Sequence, residues 1–289
     1  MESKTNTFSN YLSLIKFSHT IFALPFAIIG YFLAIAYTEA QFNIKLFVFV
    51  VLCMVFARSA AMAFNRYIDR NIDEQNARTA IREIPAGIVK PQSALIFVIV
   101  NCVLFVGTTY FINPLCFYLS PIALLVVLGY SLTKRFTALC HLILGLGLSL
   151  APIGAYLAVT GKFNWLPLFF SFAVLFWVSG FDIIYALQDE EFDRSKNLKS
   201  IPVLLGKKGA LMLSNILHLI SAGFIIYAGI YANFALWYWI GASIYTLLLF
   251  YQHTLVKPND LSKVNLAFFT TNGIASVVFA AFVLIDLYI

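Results

Sequence analysis

Long apolar runs separated by short polar segments extend along the chain from residue 20 to residue 286. Each run approaches the roughly 20 residues that an α-helix needs to cross the hydrocarbon core of a bilayer. The pattern predicts an all-α polytopic membrane protein with nine transmembrane helices around a central cavity. The predicted ranges are 20–38, 44–66, 92–112, 114–132, 137–158, 165–188, 210–231, 234–256 and 264–286.

The residues before the first apolar run are more polar. Residues 8–19 have the pattern of a short amphipathic helix, and the segment lacks the small-residue cleavage site of a signal peptide. We therefore expect one domain over residues 1–289, with an amphipathic N-terminal segment at 1–19 and the nine helices at 20–286.

Composition supports the membrane assignment. Of 289 residues, 61% are hydrophobic and 11% are charged, whereas a soluble domain has about 25% charged residues. The 29 phenylalanines argue against a disordered chain. The net charge of +6 is explained by basic cytoplasmic loops, so no nucleic-acid partner is expected.

The basic residues also favour one orientation. Lys and Arg concentrate in cytoplasmic loops, and with the N-terminus inside and the C-terminus outside, the outer loops contain only Lys45 and Lys162. This arrangement is typical of a bacterial inner (plasma) membrane protein. The inner segments then contain Lys4, Lys16, Arg66, Arg70, Arg78, Arg82, Lys90, Lys134, Arg135, Arg194, Lys196, Lys199, Lys207, Lys208, Lys257 and Lys263.

Most of the 13 acidic residues fall in two inner segments. Acidic residues contribute little to topology, so these clusters indicate another role. The two segments align with each other, which favours an internal repeat of a four-helix unit around one central cavity. The matching positions are Asn65, Asp69 and Asp73 in the first segment and Tyr185, Asp189 and Asp193 in the second.

Residues four apart share one face of a helix, so Asp69 pairs with Asp73 and Asp189 with Asp193; Asp182, seven residues before Asp189, is expected on the same face. Two carboxylates about 6 Å apart repel by about 3 kcal/mol at an effective dielectric of 20. A hard cation offsets this repulsion, and Mg²⁺ prefers a few carboxylates together with phosphate oxygens. The spacing predicts Mg²⁺ that bridges a diphosphate.

Nearby cations fit the same ligand, because phosphate oxygens not bound to metal need positively charged donors. The alternative is that these cations only orient the protein in the membrane. The candidates are Arg78 and Arg82 after the first acidic pair, Lys199 after the second, and Lys134 and Arg135 between the two halves.

Arg58 lies inside the second predicted span, two helical turns before Asn65 and on the same face. An unpaired cation at this depth is costly. It is therefore a candidate to bind an anionic group of a substrate, or else it pairs with a helix carbonyl or an internal carboxylate. The histidines show no metal-binding spacing and are interpreted as core or interfacial residues; they are His19, His141, His218 and His253.

Two segments resemble the UbiA superfamily of intramembrane prenyltransferases. Residues 65–87, NRYIDRNIDEQNARTAIREIPAG, are similar to the family pattern NDxxDxxxD followed by RTxxRPxxxG. Residues 182–206, DIIYALQDEEFDRSKNLKSIPVLLG, are similar to the second pattern, DxxYxxxDxxxD followed by a Lys-Ser pair. The expected nine helices cover almost the whole chain.

Arg58 and the YxxxKR sequence at residues 130–135 resemble the 4-hydroxybenzoate polyprenyltransferase branch of the family. Two features depart from the family pattern. Arg66 stands where an Asp is usual, and Glu83 and Ile84 replace the usual residues around RPL. This departure resembles a subgroup whose aromatic acceptor is less securely assigned.

The resemblance implies an enzyme that transfers a polyprenyl group from polyprenyl diphosphate to an aromatic acid, 4-hydroxybenzoate, in respiratory quinone biosynthesis. It implies Mg²⁺ bound by Asn65, Asp69, Asp73, Asp189 and Asp193, and an allylic cation stabilised by Tyr185. The implied catalytic residues are Asp69, Asp73, Asp182, Tyr185, Asp189 and Asp193, and the implied substrate-binding residues are Arg58, Asn65, Arg78, Arg82, Lys134, Arg135 and Lys199.

Other activities stay open. A hydroxynaphthoate acceptor in menaquinone biosynthesis would also present a carboxylate to Arg58. Farnesyl transfer of the haem O synthase type fits that arginine less well. A transporter would place its acidic residues deep within the spans, whereas here they cluster at the inner helix ends beside Arg and Lys.

Overall fold

The computed structural model describes residues 7–16, 20 and 22–289, and these ranges contain helices and no β-strand. The all-α fold is therefore confirmed. The α-helices are α1 (Thr7–Leu14), α2 (Leu24–Ala36), α3 (Ile44–Asp73), α4 (Pro91–Tyr110), α5 (Pro114–Thr133), α6 (Cys140–Thr160), α7 (Trp165–Ala186), α8 (Glu190–Ser195), α9 (Ile201–Tyr231), α10 (Leu236–Leu255) and α11 (Asn272–Tyr288).

Seven helical segments in the described chain are long and apolar enough to cross a membrane, so this is an integral membrane protein. They comprise α3, α4, α5, α6, α9, and the segments Trp165–Ser195 and Leu266–Tyr288. The other two predicted spans correspond to α2, which is apolar but has 13 residues, and α10, which has 20. The count of nine spans stays a prediction.

The predicted amphipathic helix at 8–19 is observed as α1, which ends at Leu14. Residues 17–19, including His19, lie outside the described residues. Buried Leu14 and Ile15 join a hydrophobic cluster with α3 and α4. This short helix therefore lies against the first half of the chain.

Asparagine side chains cap α3, α5 and α7, which are the helices expected to run from the outer side to the inner side. Each Asn oxygen accepts a hydrogen bond from a backbone N–H of the first turn, which would otherwise lack an intrahelical partner. The bonds run from Leu46 to Asn43 (3.1 Å), from Cys116 to Asn113 (2.8 Å) and from Leu166 to Asn164 (2.9 Å).

The helices form a closed ring. Successive contacts join α3, α4, α5, α6, α7, α9, α10 and α11, and α2 closes the ring through its contacts with α11 and α3. The helix α2 also packs against α6. The second half packs around buried aromatic side chains, among them Phe26, Trp177, Tyr245 and Phe279. The helices α3 and α5 have few buried residues of this kind, and the cavities described below lie beside them.

Two predicted boundaries are wrong at the acidic motifs. The helix α3 continues to Asp73, beyond the predicted end at residue 66, because the polar side chains of its last turns are covered by the following loop. The helix α7 ends at Ala186 and is followed by a 3₁₀ turn, Leu187–Asp189, before α8 begins. The helix is therefore interrupted between Asp182 and Asp193, although all three carboxylates of this motif, Asp182, Asp189 and Asp193, border the same cavity, described below.

The helix α9 begins at Ile201 rather than near residue 210, and its path is interrupted at Gly206. The backbone of Gly206 has φ 67° and ψ 171°, a conformation that residues with a Cβ rarely adopt. The short helical segment before this glycine stays close to the second acidic motif, whereas the rest of α9 crosses the bundle.

We expect Gly30→Ala to destabilise the protein, because α2 and α6 are in backbone contact at Gly30. A Cβ at this position would lie 2.0 Å from the carbonyl oxygen of Pro152, and overpacking of this kind costs about 1–3 kcal/mol. Thermal unfolding of the detergent-solubilised protein measures the effect. Gly223→Ala is the control, since its Cβ would meet nothing within 4 Å; equal unfolding temperatures for the two variants would contradict the prediction.

Candidate active site

A polar cavity of about 590 Å³ lies where the C-terminal ends of α3, α5 and α7 meet. Both acidic motifs contribute to its wall, as the sequence repeat predicted. Most of the predicted site residues border it directly: Arg58, Asn65, Asp69, Arg78, Arg82, Lys134, Asp182, Tyr185, Asp189 and Asp193. Asp73 and Arg135 lie just behind this wall, in ion pairs with two of its residues, Arg82 and Asp69.

Asp69 is 3% exposed and is surrounded by donors. Arg135 donates to Oδ1 at 2.8 Å, and Asn65 donates to Oδ2 at 3.1 Å. The Lys134 Nζ atom lies 3.7 Å from Oδ2. Because Lys134 and Arg135 follow α5, this cluster connects the ends of α3 and α5.

Asp73 is also buried, and its two oxygens differ. Arg82 donates to Oδ1 at 2.7 Å, while Oδ2 has no hydrogen-bond partner among the residues that the structure describes. The loop that carries Arg82 folds back on α3, and the Thr79 hydroxyl donates to the Asp73 carbonyl at 3.0 Å. A buried carboxylate oxygen without a partner is unusual, so Asp73 retains a free ligand position.

Arg78 connects the first acidic motif to the second. Its guanidinium forms a two-pronged ion pair with Asp189, with Nε at 3.0 Å from Oδ1 and Nη2 paired with Oδ2. Asn76 also donates to Asp189 Oδ1, at 3.0 Å. The Arg78 Nη1 atom donates to the Tyr185 hydroxyl at 3.0 Å, and the guanidinium lies over the Tyr185 ring. Planar two-pronged pairs of this kind are strong and directional.

Asp193 on α8 completes the second motif. Asp193 is buried, borders the cavity and lies near Lys134. The backbone N–H of Lys199 donates to the Lys134 carbonyl at 2.7 Å and holds the two loops together. The Lys199 side chain is exposed and does not border the cavity, so its predicted contact with a diphosphate stays a prediction.

Arg58 borders the deep end of the cavity. Among the described residues it has no ion-pair partner, and its buried Nε has no hydrogen bond. Arg66, at the position where the sequence departs from the family pattern, is also buried, and its Nε has no hydrogen-bond partner in the described part of the chain. The cavity wall therefore contains two guanidinium groups whose Nε atoms lack such a partner.

His141 was interpreted from the sequence as a core or interfacial residue, and it is indeed buried. Its ring, however, also borders the cavity and lies 2.7 Å from Asp182. No sequence spacing indicates this contact, because the two residues come from different helices. Lys16, which follows α1, is a second cavity residue that sequence reasoning missed. His218 and His253 contact each other at 2.8 Å outside the cavity.

An apolar groove of about 360 Å³ continues from the deep end of the polar cavity. It runs mainly between α3, α5 and α6 and is lined almost wholly by hydrophobic side chains. The two spaces share part of their wall, so they are continuous. The shared residues are Arg58, Met62, Tyr130, Leu144 and Leu148.

The oxygen donors of the motifs fit a hard cation. No group of three or more His, Cys, Asp or Glu in the described chain is already arranged around a common point. Mg²⁺ is usually bound by one or two carboxylates and completes its shell with water and phosphate oxygens. The free Oδ2 of Asp73 and the carboxylates at the cavity wall suit a metal that binds together with a diphosphate.

Comparisons with known proteins identify the family. The UbiA prenyltransferase family model matches residues 23–274. The chain is 31% identical over 242 residues to the 4-hydroxybenzoate octaprenyltransferase of Vesicomyosocius okutanii, covering 84% of this chain and 88% of that protein. It is 33% identical over 236 residues to the enzyme of the same name from Aliivibrio salmonicida, covering 80% and 81%.

Solved structures share the fold. The apo structure of a UbiA homolog from Aeropyrum pernix K1 has a TM-score of 0.83 and 29% identity, and covers 93% of this chain and 98% of that chain. A UbiA homolog from Archaeoglobus fulgidus bound to DMAPP and Mg²⁺ has a TM-score of 0.77 and 21% identity, with 97% and 99% coverage. With both acidic motifs at one cavity and the family model matched over most of the sequence, the chain belongs to the UbiA prenyltransferase family.

Proposed function

We propose that this protein transfers a polyprenyl group from a polyprenyl diphosphate to 4-hydroxybenzoate, with Mg²⁺, in ubiquinone biosynthesis. The observation that carries the proposal is the continuity of three chemically different regions. A wall of carboxylates and cations suits a metal diphosphate, and an apolar groove suits an isoprenoid chain. Where they meet lies Arg58, which has no ion-pair partner within the described ranges. The names of the relatives support the same substrates.

The proposed metal ligands are Asn65, Asp69, Asp73, Asp189 and Asp193. Support comes from their placement at or beside one cavity, and from the Archaeoglobus fulgidus homolog that binds DMAPP and Mg²⁺. Bound Mg²⁺ would offset the negative charge that develops on the departing diphosphate. The protein's own contribution is to present these oxygen ligands from two halves of the chain.

Arg78, Arg82, Lys134 and Arg135 are the proposed donors to the diphosphate oxygens. Each contacts a motif carboxylate, and a diphosphate offers the same kind of anionic acceptor. Their charges are aimed at the place where the leaving group develops charge, which is the arrangement that lowers a transition-state barrier most. For Lys199 we propose only an indirect role, through the hydrogen bond from its backbone N–H to the Lys134 carbonyl.

The acceptor carboxylate is proposed to bind Arg58 at the deep end of the cavity. Tyr185 is proposed to face the allylic cation, because its ring borders the cavity and its hydroxyl is held by Arg78. The ring carbon ortho to the acceptor hydroxyl then forms the new bond. The apolar tail of the donor would extend into the groove between α3, α5 and α6.

A hydroxynaphthoate acceptor is the second candidate, because its carboxylate would use the same Arg58. The deciding assay incubates membranes containing the protein with a labelled polyprenyl diphosphate and a panel of phenolic and naphthoic acids. Labelled prenyl-hydroxybenzoate is the expected product. Exclusive labelling of a naphthoate would overturn the acceptor assignment, and no labelled product from any aromatic acid would overturn the proposed activity.

We also propose a cytoplasmic N-terminus and active-site loops, a C-terminus outside, and a bacterial-type inner membrane location. The basic loops support this orientation. The residues of the polar cavity come from the helix ends and loops on the proposed inner side, where a diphosphate made in the cytoplasm would be accessible.

We expect Asp69→Asn and Asp189→Asn each to lower the rate of prenyl transfer by about 100-fold or more, since preorganised charge at a leaving group contributes on this scale. Activity should also be lost with a chelator and return with added Mg²⁺. The measurement is product formation at saturating donor. Asp260→Asn is the matched control, because Asp260 is an exposed loop carboxylate outside the cavity; substantial activity in both motif variants would remove the metal role.

We expect Arg58→Gln to raise the KM for the aromatic acid about 10- to 100-fold, because a hydrogen bond to a charged group contributes about 1.5–3 kcal/mol. The KM for the prenyl donor should change little. Steady-state kinetics with each substrate varied in turn separate the two effects. Arg70→Gln on the same helix is the control, since Arg70 donates to the Tyr67 carbonyl and does not border the cavity. Equal changes for both substrates would count against acceptor binding.

We expect Gly154→Phe to make the enzyme selective for short donors. Gly154 borders the groove, and an added Cβ would meet nothing within 4 Å. It lies ten residues beyond Leu144 on α6, a rise of about 15 Å from the junction of the two spaces. A geranyl chain ends before this depth and an octaprenyl chain continues past it.

The rate with octaprenyl diphosphate should therefore fall about tenfold or more, on the scale of overpacking costs, while the rate with geranyl diphosphate is retained. Gly223→Phe is the control, because Gly223 is exposed on α9 and has the same free space at its Cβ. A uniform loss with both donors would argue against a chain-binding groove at Gly154.

A further inference from the structure

We propose that Asp182 accepts the ring proton released after prenylation, and that His141 positions Asp182 for this step. The inference rests on the proposed aromatic prenyl transfer. It assigns a base to the last chemical step, which neither the acidic motifs nor the comparisons identify.

The two residues form a hydrogen-bonded dyad. The His141 Nδ1 atom lies 2.7 Å from Asp182 Oδ2. On the other side of the ring, the backbone N–H of Ile201 donates to His141 Nε2 at 3.3 Å. A backbone N–H can only donate, so Nε2 must carry a lone pair and the ring proton must be on Nδ1. The His141 Nδ1–H therefore donates to Asp182 Oδ2.

The dyad is anchored from several helices. Ile201 is the first residue of α9, where backbone N–H groups lack intrahelical partners. The Ser179 hydroxyl on α7 donates to the His141 carbonyl at 3.2 Å. His141 is covered, whereas 23% of the Asp182 side chain is exposed toward the cavity. The histidine is thus a support, and the carboxylate is the part that a substrate can reach.

The depth of Asp182 matches the expected position of the acceptor ring. In the alignment of the two motifs, Asp182 corresponds to Met62, which lies four residues after Arg58 and seven before Asp69. Asp182 is therefore expected between the depth of Arg58 and that of the motif carboxylates. Tyr130 borders the cavity together with Arg58 and Asp182. An aromatic acid bound between Arg58 and the diphosphate site would therefore place its ring beside the dyad.

The other carboxylates at the cavity wall already have cationic neighbours. Asp69 and Asp189 each form an ion pair with an Arg or Lys side chain. Asp193 lies near Lys134, in the region proposed for metal and diphosphate. Asp182 has His141 as its partner and lies outside that region, so its other oxygen is placed to accept the proton.

The step balances without any further reactant. Attack on the allylic carbon forms a carbon–carbon bond at the ortho position and leaves that carbon with both its hydrogen and the prenyl group. The C–H bond then breaks, its electron pair restores the aromatic ring, and the proton goes to the free oxygen of Asp182. From there it passes to water in the open polar cavity.

The test compares unlabelled 4-hydroxybenzoate with the same acid deuterated at both ring positions ortho to the hydroxyl. In the wild-type protein we expect little isotope effect on kcat, because ionisation of the donor is the slower step. In Asp182→Asn we expect kcat to fall about 100-fold or more and a clear primary isotope effect, since loss of the ring proton becomes limiting.

His141 is tested as a positioning residue by two variants. His141→Phe should lower kcat and reveal the isotope effect. His141→Asn should restore much of the rate and reduce the isotope effect, because an amide can donate from near the position of Nδ1. His253→Asn is the control, since His253 lies outside the cavity. Thermal unfolding in detergent checks that each variant is folded, and if His141→Phe does not fold, Asp182→Asn and His141→Asn still decide the proposal.

The outcomes separate this inference from the proposed function. If the wild-type protein forms no prenylated aromatic acid, the proposed function fails. If it forms the product and a folded Asp182→Asn variant retains the rate, or loses it without an isotope effect, the proton-acceptor role is overturned while the activity stands. Loss of rate with equal isotope effects in the wild type, His141→Phe and His141→Asn would overturn the positioning role.

Discussion

The ion pair between Arg78 and Asp189 is the contact on which the site depends. It joins a loop that follows α3 to a turn that follows α7, and so connects the two halves of the chain across the cavity. Asn76 donates to Asp189, and the Tyr185 hydroxyl accepts from Arg78, so both partners of the pair are held in place. In this way two separate acidic motifs come to face a single space.

The need to pair buried charges also determines the arrangement at the end of the bundle where the two acidic motifs meet. Buried carboxylates are costly unless they are paired, and Asp69, Asp73 and Asp189 each have a cationic partner. These cations are also the groups that a diphosphate would need, so the pairing keeps them close to the proposed leaving group. Farther into the membrane the partners become fewer, and Arg58 has none among the described residues. The polar cavity changes to an apolar groove at this point.

Much of the fold and site could be predicted from local sequence. Apolar runs identified the ranges in which the helices occur, and the spacing of Asp69 and Asp73 identified one face of α3. The prediction was less accurate where polar side chains are buried by other parts of the chain. The helix α3 ends at Asp73 rather than at the predicted residue 66. A 3₁₀ turn that ends at Asp189 interrupts the predicted continuous helix.

By itself, the sequence determined the membrane environment, the helical class and the two acidic motifs, because hydrophobicity and helical periodicity act over a few turns of chain. Only the tertiary structure decided which cation meets which carboxylate, that His141 supports Asp182, and that an apolar groove begins at Arg58. Contacts such as that between Arg78 and Asp189 join residues more than a hundred positions apart. They depend on how the helices pack around the cavity, and no local pattern in the sequence encodes that packing.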